Sequence, residues 1–489
     1  MGLRYQTQKN SSSSCKFSTI VIFFLILITS ILLFLQQPWQ WPCPCPCPIL
    51  PHPRPSKKIP QAGTAIDLRD AKFPWNKLSF GHVSQQWLKL AVFSKTWPVI
   101  GAAPGGMERH ASTLCTALAD RGHEVHVFTV PSDRTPREDI HQGSLHVHFA
   151  ANDHGSVNCS LAFEIFSREN EGRAFDFVHT ESVSLPHWRA KMLPNRVAVT
   201  WHGIWYEIMH SKLFQELLSN PNGQLPGPMT ELQEAMPRLI DEIRFFSGYT
   251  QHICISNSAA DILTNIYQAP RKNVHVILNG VDETVFVPNP VAGISFRRKY
   301  GVPDNASVIM GVAGRLVRDK GHPLLYEAIS SISRRHSGIY LLVAGKRYKE
   351  LAQSVKVLGA LEALELSAFY NALNVFVNPT LRPQGLDLTL IEAMHCGKPV
   401  VAPNYPSITG TVLIRDELGY TFSPNVNSLT EALEKVVGDG RTGLRRRGAA
   451  CKEHAVALFT ATKMASAYER FFLCMKDDQY CKYPLPNDL

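Results

Sequence analysis

The tightest constraint on this chain lies between Gly314 and Glu392, where two strand–loop–helix units each end a strand on charged residues. Ser307–Gly314 reads as a buried strand. The loop Arg315-Leu-Val-Arg-Asp-Lys320-Gly321 follows at once, and Leu324, Leu325, Ala328, Ile329 and Ile332 give a helical apolar period from near His322. Downstream, Val375–Thr380 reads as a second short strand, and Gln384–Glu392 as a glycine-containing loop that opens another helix. Such a repeat specifies a parallel α/β sheet, and ligands of such sheets sit beyond the carboxyl ends of the strands. Arg315 can fork onto phosphate oxygens and Lys320 can act on them as a point charge. Free N–H groups at the helix start near Gly385 and Leu386 face the same anion, and Glu392 can accept from ribose hydroxyls. Taken singly, the cations read as solvated loop charges and Glu392 as an ordinary helix residue. Together, on neighbouring units, they favour a nucleotide-sugar donor site.

An earlier stretch reads as a second sheet of the same kind. Leu88–Ser94 is a strand. Gly105-Gly106 precedes a helix with Met107, Ala111, Leu114, Cys115 and Leu118 on one face, and Glu124–Thr129 is the next strand. The spacing is not G-x-G-x-x-G, which argues against a dinucleotide enzyme. Paired glycines still let backbone N–H groups approach a phosphate or sugar. Phe175–His179 and Arg196–Thr200 read as later strands, the second delivering Trp201-His202-Gly-Ile-Trp-Tyr206 to a cleft edge. Rings and a histidine there suit a sugar acceptor, although a core histidine bonded to backbone is the alternative for His202. Leu278–Asp282 reads as the turn where the chain crosses between domains.

The 489 residues, 45% hydrophobic, have room for two ordinary domains. The net charge of +9 is spread out, with no aromatic–basic interleaving, so no nucleic-acid partner is expected. Phe17–Leu35 is uncharged and close to the roughly 20 apolar residues a membrane helix needs. Arg4, Lys9 and Lys16 precede it, which predicts a single-pass type II anchor with the remainder lumenal, a cleaved signal peptide being the alternative. Golgi membrane is the first expectation and endoplasmic reticulum the second. Proline-dense residues 38–60 predict an extended stem, in which Cys43, Cys45 and Cys47 could link a disulfide dimer or simply space the chain. Among 11 cysteines, Cys115, Cys254 and Cys396 read as buried thiols, while Cys474 and Cys481 could pair. Asn158 and Asn305 head glycosylation patterns.

Gly314-Arg-Leu-x3-Asp-Lys-Gly321, Asn279-Gly-Val-Asp282, Glu392-Ala-Met-x-Cys-Gly-Lys-Pro-Val-Val401 and Pro104-Gly-Gly-Met-Glu-Arg109 resemble the motifs of glycosyltransferase family 4, most of all its membrane-anchored plant members. The resemblance covers about residues 86–475. It implies an α/β GT-B fold of two Rossmann-like domains facing a cleft, and retaining transfer of a sugar from a nucleotide sugar to a glycan or small-molecule acceptor. With no D-x-D-like motif, no metal and no cofactor are expected. It implies His202 and Gln384 as catalytic residues against the transferred sugar, and Gly105, Gly106, Arg315, Lys320, Gly385, Leu386 and Glu392 as donor ligands.

The expected division is a cytosolic tail (1–16), an anchor (17–35), a stem (36–85), an acceptor domain (86–285) and a donor domain (286–445). A helix packing back on the acceptor domain (446–475, within one helix from about Leu444 to Phe472) and a tail (476–489) complete it. Two departures leave a second reading, an inactive or weak homologue that binds nucleotide sugar or glycan. The family places glutamate where Gln384 stands, eight positions before Glu392, and Lys346-Arg-Tyr348 replaces its glycine–proline loop after Gly345.

Overall fold

The computed structural model describes residues 65–81, 86–99, 105–193, 197–219, 230–315, 317–345, 355–383 and 386–488, all within one compact unit from Pro60 onward. The anchor span, the Cys43–Cys47 run, Gln384 and Gly385 lie outside these residues. Among the described residues no helix is long and apolar enough to cross a membrane.

Two parallel sheets organise the unit. The first contains β1 (Lys89–Phe93), β2 (Glu124–Thr129), β3 (Ile140–Gln142), β4 (Leu145–Phe149), β5 (Phe177–Glu181), β6 (Val197–Trp201), β7 (Gln251–Cys254) and β8 (Val274–Val276). Their order is β3-β4-β2-β1-β5-β6-β7-β8, with only the β3–β4 pair antiparallel. The second contains β9 (Val308–Ala313), β10 (Ile339–Ala344), β11 (Val355–Gly359), β12 (Val375–Val377), β13 (Val400–Pro403) and β14 (Gly419–Phe422), ordered β11-β10-β9-β12-β13-β14. In both sheets the order reverses beside the first strand, which is the switch point where doubly wound folds bind ligands. Central strands such as β1 and β12 are buried along their whole length. Continuous Val, Leu, Ile and Phe runs do this when helices cover both faces.

The helices longer than one turn are α1 (Gly106–Asp120), α2 (Cys159–Gly172), α3 (Trp205–Ser219), α4 (Thr230–Phe246), α5 (Asn257–Asn265), α6 (Pro290–Lys299), α7 (His322–Ser333), α8 (Ala363–Ala372), α9 (Leu388–His395), α10 (Val426–Leu458) and α11 (Ala461–Lys476). Polar caps define many of their starts. Asn158, Ser256, Asn289, Asp387, Asn425 and Thr460 each accept a first-turn N–H, which supplies a partner that the helix itself cannot.

The chain expected as one helix from about Leu444 to Phe472 is two. α10 packs on α7 and β14 of the second domain, whereas α11 packs on α1 of the first. The break at Phe459–Thr460 lies against the outgoing crossing, since Val281 N–H donates to Phe459 O and Ala461 N–H to Val281 O. Backbones come so close here that a Cβ on Gly280 would sit 2.2 Å from Thr460 O; only glycine fits.

The expected stem through residue 85 also needs correction, because residues 65–81 are folded. Ile66–Asp67 pairs antiparallel with Lys482–Tyr483, and Leu68 and Trp75 are wholly buried against α11 and β1 residues. The proline run ends near Pro60, and Leu68, Phe73 and Trp75 beyond it have apolar surface to bury. Buried Asn76 binds both crossings. Its Nδ2 donates to Leu278 O and Leu458 O, each at 3.1 Å, and its Oδ1 accepts Leu278 N–H at 2.7 Å. Cys474 and Cys481 form a disulfide, and Cys115, Cys254 and Cys396 are buried free thiols, as the sequence suggested.

Candidate active site between the two sheets

On the donor side, β9 ends at Ala313, and Gly314, Arg315 and Lys320 follow it in the chain. Gly321 has φ +70°, and a Cβ there would lie 1.8 Å from Pro379 O, so only glycine lets this loop lie on the end of β12. Lys320 Nζ donates to Asp387 Oδ2 at 2.7 Å. Asn378 Nδ2, just past β12, donates to the same oxygen at 3.0 Å, while Asp387 Oδ1 caps α9 through Thr389. Burial opposes the charge on Asp387, yet Lys320 and these donors hold its carboxyl below the ordinary range. Arg315 is exposed and Leu386 is buried.

Glu392, on α9, is buried and has both oxygens engaged. Arg109 Nη1, in the first turn of α1, pairs with Oε1, and Tyr370 Oη donates to Oε2 at 2.7 Å. Burial raises the Glu392 carboxyl, and Arg109 and Tyr370 draw it back. Arg109 belongs to the first domain and Glu392 to the second, so this pair crosses between them. Ser211 Oγ on α3 also crosses, donating to Leu381 O at 2.6 Å. Gly105 caps α1 without any side-chain hydrogen bond to the first turn. Gly106 has no neighbour within 4 Å of an added Cβ, whereas a Cβ on Gly105 would lie 2.4 Å from Glu108 Oε2.

On the acceptor side, His202 follows β6 and its Nε2 pairs with Glu181 Oε2 at the end of β5. Glu181 is fully buried. His110 Nδ1 lies 3.2 Å and His179 Nδ1 3.8 Å from its other oxygen. Burial opposes the charge on Glu181, and the three histidines hold its carboxyl well below the usual range. Burial also lowers His110, and lowers His179 to about 4. His179 Nε2 continues to Thr200 Oγ1 at 2.8 Å, and from there to Tyr468 Oη of α11 at 2.8 Å. His110, Glu181 and His202 together form a donor set that could hold a metal ion. Trp201 points into the core instead of the cleft, its Nε1 donating to His252.

Residues 104–285 match Glycosyltransferase Family 4, and residues 307–439 match Glycosyl transferases group 1. The chain is 26% identical over 370 residues to an uncharacterized glycosyltransferase of Methanocaldococcus jannaschii, covering 70% of this chain and 88% of that protein. It is 25% identical to D-inositol 3-phosphate glycosyltransferase of Xylanimonas cellulosilytica, covering 63% of this chain and 78% of the relative. The chain is a GT-B glycosyltransferase. One component of human phosphatidylinositol N-acetylglucosaminyltransferase is 24% identical, covering 69% of this glycosyltransferase and 67% of the human protein. Sucrose-phosphate synthase from Thermosynechococcus elongatus superposes with a TM-score of 0.62 at 21% identity, over 79% of this chain and 100% of that one. Anabaena HepE in complex with UDP and glucose gives 0.53 at 16% identity, over 77% and 97%. Both structural likenesses bear on the fold alone.

Of the residues singled out from sequence, Lys320, Leu386 and Glu392 lie along one edge of the second sheet, and His202, Gly105 and Gly106 along one edge of the first. Four partners escaped that reading: Arg109, Glu181, Tyr370 and Asp387. Asp387 carried a visible signal, being an aspartate one residue before an apolar helix. Glu181 had one too, as a carboxylate at a strand's carboxyl end.

Proposed function

We propose that this glycosyltransferase is a retaining, metal-independent enzyme of the secretory pathway that moves a sugar from a nucleotide sugar to a hydroxyl acceptor. The observation that carries the reading is the pair of cation–carboxylate contacts beyond the strand ends, Arg109–Glu392 across the two domains and Lys320–Asp387 within the second. A diphosphate brings charge that both cations can share, and ribose hydroxyls can take over the acceptor positions of Glu392. Arg109 then leaves Glu392 for the phosphates, joined by Lys320, Arg315 and the α1 start at Gly105 and Gly106. These groups stabilise the charge that develops on the leaving diphosphate. His202, oriented by Glu181, faces the transferred sugar. Relatives named for inositol phosphate and phosphatidylinositol widen the acceptor class from glycans to other polyol hydroxyls, and neighbours solved with UDP or ADP support a nucleoside diphosphate donor.

The test is a thermal-shift screen of UDP-, GDP- and ADP-sugars, followed by transfer with the donor that binds. Arg315→Ala and Lys320→Ala are each expected to weaken that binding by roughly one to two decades, the value of a charge-assisted hydrogen bond of about 1.5–3 kcal/mol. EDTA should leave transfer unchanged. A strict divalent-ion requirement for transfer would refute the metal-independent reading.

The Golgi assignment rests on the Phe17–Leu35 span and on the Cys474–Cys481 disulfide, which suits an oxidising lumen. In sealed microsomes a tag after Leu489 should resist protease and a tag before Met1 should be cleaved. The reverse pattern would overturn the type II orientation.

A further inference from the structure

A second cluster of titratable groups lies away from the transfer site, at the β3–β4–β2 edge of the first sheet. Strand alternation puts Glu124 and His126 of β2 on one face, and His146 and His148 of β4 on one face. The register sets His126 beside His146, and His146 beside His141 of β3. From α2, Glu169 reaches toward His126. His126 and His148 are buried, at 4% and 5% exposure, so their ring nitrogens have few partners besides one another and the surrounding carboxylates.

The hydrogen-bond chain through these two rings assigns their protons. His126 Nε2 lies 2.9 Å from Glu124 Oε1, and His148 Nδ1 lies 3.0 Å from Asp139 Oδ2. An ionised carboxylate only accepts, so both of these outer nitrogens carry hydrogen. Lys89 Nζ at 3.6 Å and Arg173 Nη1 at 3.8 Å also face Glu124. A neutral imidazole has a single N–H. With both rings neutral, the two inner nitrogens, His126 Nδ1 and His148 Nε2, both present lone pairs, and they face each other at 3.0 Å. Two lone pairs at that distance repel unless a cation lies between them. Glu169 Oε2 stands 3.8 Å from His126 Nδ1, and the three ligand atoms lie within 4.8 Å of one another.

We propose that His126 Nδ1, His148 Nε2 and the Glu169 carboxylate bind one divalent transition-metal ion, with Glu124 and Asp139 as the outer carboxylates that orient the two imidazoles. Two imidazoles and a carboxylate suit Zn²⁺ best, with water in the remaining position, and Cu²⁺, Ni²⁺ and Co²⁺ share the donor preference. Tetrahedral zinc with Zn–N bonds of about 2.0–2.1 Å needs its two nitrogens roughly 3.3 Å apart, so the rings separate by only a few tenths of an ångström. Glu169 is partly exposed and free to close the remaining gap. The pattern of metal, imidazole and outer carboxylate is repeated on both rings, and such outer partners typically change metal affinity by about 10- to 100-fold. Bound there, the ion ties α2 to the sheet edge. Because β1 separates β2 from β5, it stands apart from Glu181 and His202.

The experiment is calorimetric titration of the purified, chelator-treated full-length chain with ZnCl₂, repeated with CoCl₂ to read the ligand-field absorption of a tetrahedral ion. One tight ion per chain is expected. His126→Ala and His148→Ala should remove it, and Glu169→Gln, at a part-exposed position that tolerates change, should weaken it. Glu124→Gln and Asp139→Asn should each weaken it by about 10- to 100-fold. Glycosyl transfer should be unchanged in all five. The His110–Glu181–His202 group is the competing donor set, and His202→Ala separates the two. Zinc binding lost in His202→Ala but retained in Glu169→Gln and Asp139→Asn would overturn the proposal. So would the absence of stoichiometric binding, which would leave a shared proton as the cation between the rings.

Discussion

Glu392→Ala is expected to lose both stability and donor binding, by amounts that a double-mutant cycle with Arg109 can apportion. The substitution strands a part-buried guanidinium and removes the acceptor of Tyr370 Oη. Removing one partner of a buried ion pair costs about 3–5 kcal/mol, because the other charge stays desolvated and unpaired. Donor affinity should fall by roughly two to four decades, if the carboxylate accepts two ribose hydroxyls at about 1.5–3 kcal/mol each. Arg109→Ala should also destabilise, while leaving the ribose contact available. In the double variant neither charge is stranded, so its loss of stability should be smaller than the sum of the single losses by about 1–3 kcal/mol. Denaturant unfolding of the four proteins, with calorimetry against the identified donor, measures both effects. Additive stability losses would mean that the interdomain pair is incidental.

The second large effect is acid sensitivity. Burial lowers His179, His252 and His454 to about 4 and His275 to about 3, whereas an unfolded chain protonates histidine near 6.5. As pH falls below that value the unfolded state takes up protons first. Stability is therefore full above about pH 6.5 and is lost progressively down to the folded values. Each such histidine contributes a slope of about 1.4 kcal/mol per pH unit, so the four together reach on the order of 5 kcal/mol per unit. Glu181 works in the same direction at lower pH. Its carboxyl is depressed in the fold, so its contribution is present above the ordinary carboxylate range and disappears as pH falls through the folded value. The melting temperature should drop steeply between pH 6.5 and 5. A melting temperature that is flat or rising on acidification would contradict the neutral assignment of these four rings.

The two sheets were legible in the sequence because β1, β9 and β12 carry largely apolar runs, each followed by a loop and then a helix. The same logic placed Lys320, Glu392 and His202 at strand or helix ends. Their partners were not legible, for a physical reason. Arg109 meets Glu392 across 283 residues of chain, and no local period reports a contact made only when two domains face each other. Glu181 was overlooked because β5 was expected to stop at His179, although two further residues continue it. The Glu124–His126–His148–Asp139 chain was invisible until the register of three strands was known, since alternation gives the face and not the neighbour. Residues 65–81 were assigned to the stem because proline dominates what precedes them, while Trp75 and Leu68 pack on an element that lies some four hundred residues later.

Asn76 sits on both strands of chain that join the domains, one amide answering Leu278 and Leu458 at once. A hinge held by a third segment is a hinge with a brake. A chain trimmed to begin at Trp87 would keep both sheets and every residue of the cleft, yet its halves would swing on two unsecured crossings, with a buried carbonyl left bare on each. Such a protein would open more readily, admit water to the bound donor, and spend nucleotide sugar on hydrolysis. The short run ahead of the first sheet is thus expected to limit donor hydrolysis through the hinge alone, which a hydrolysis assay of the trimmed chain would read.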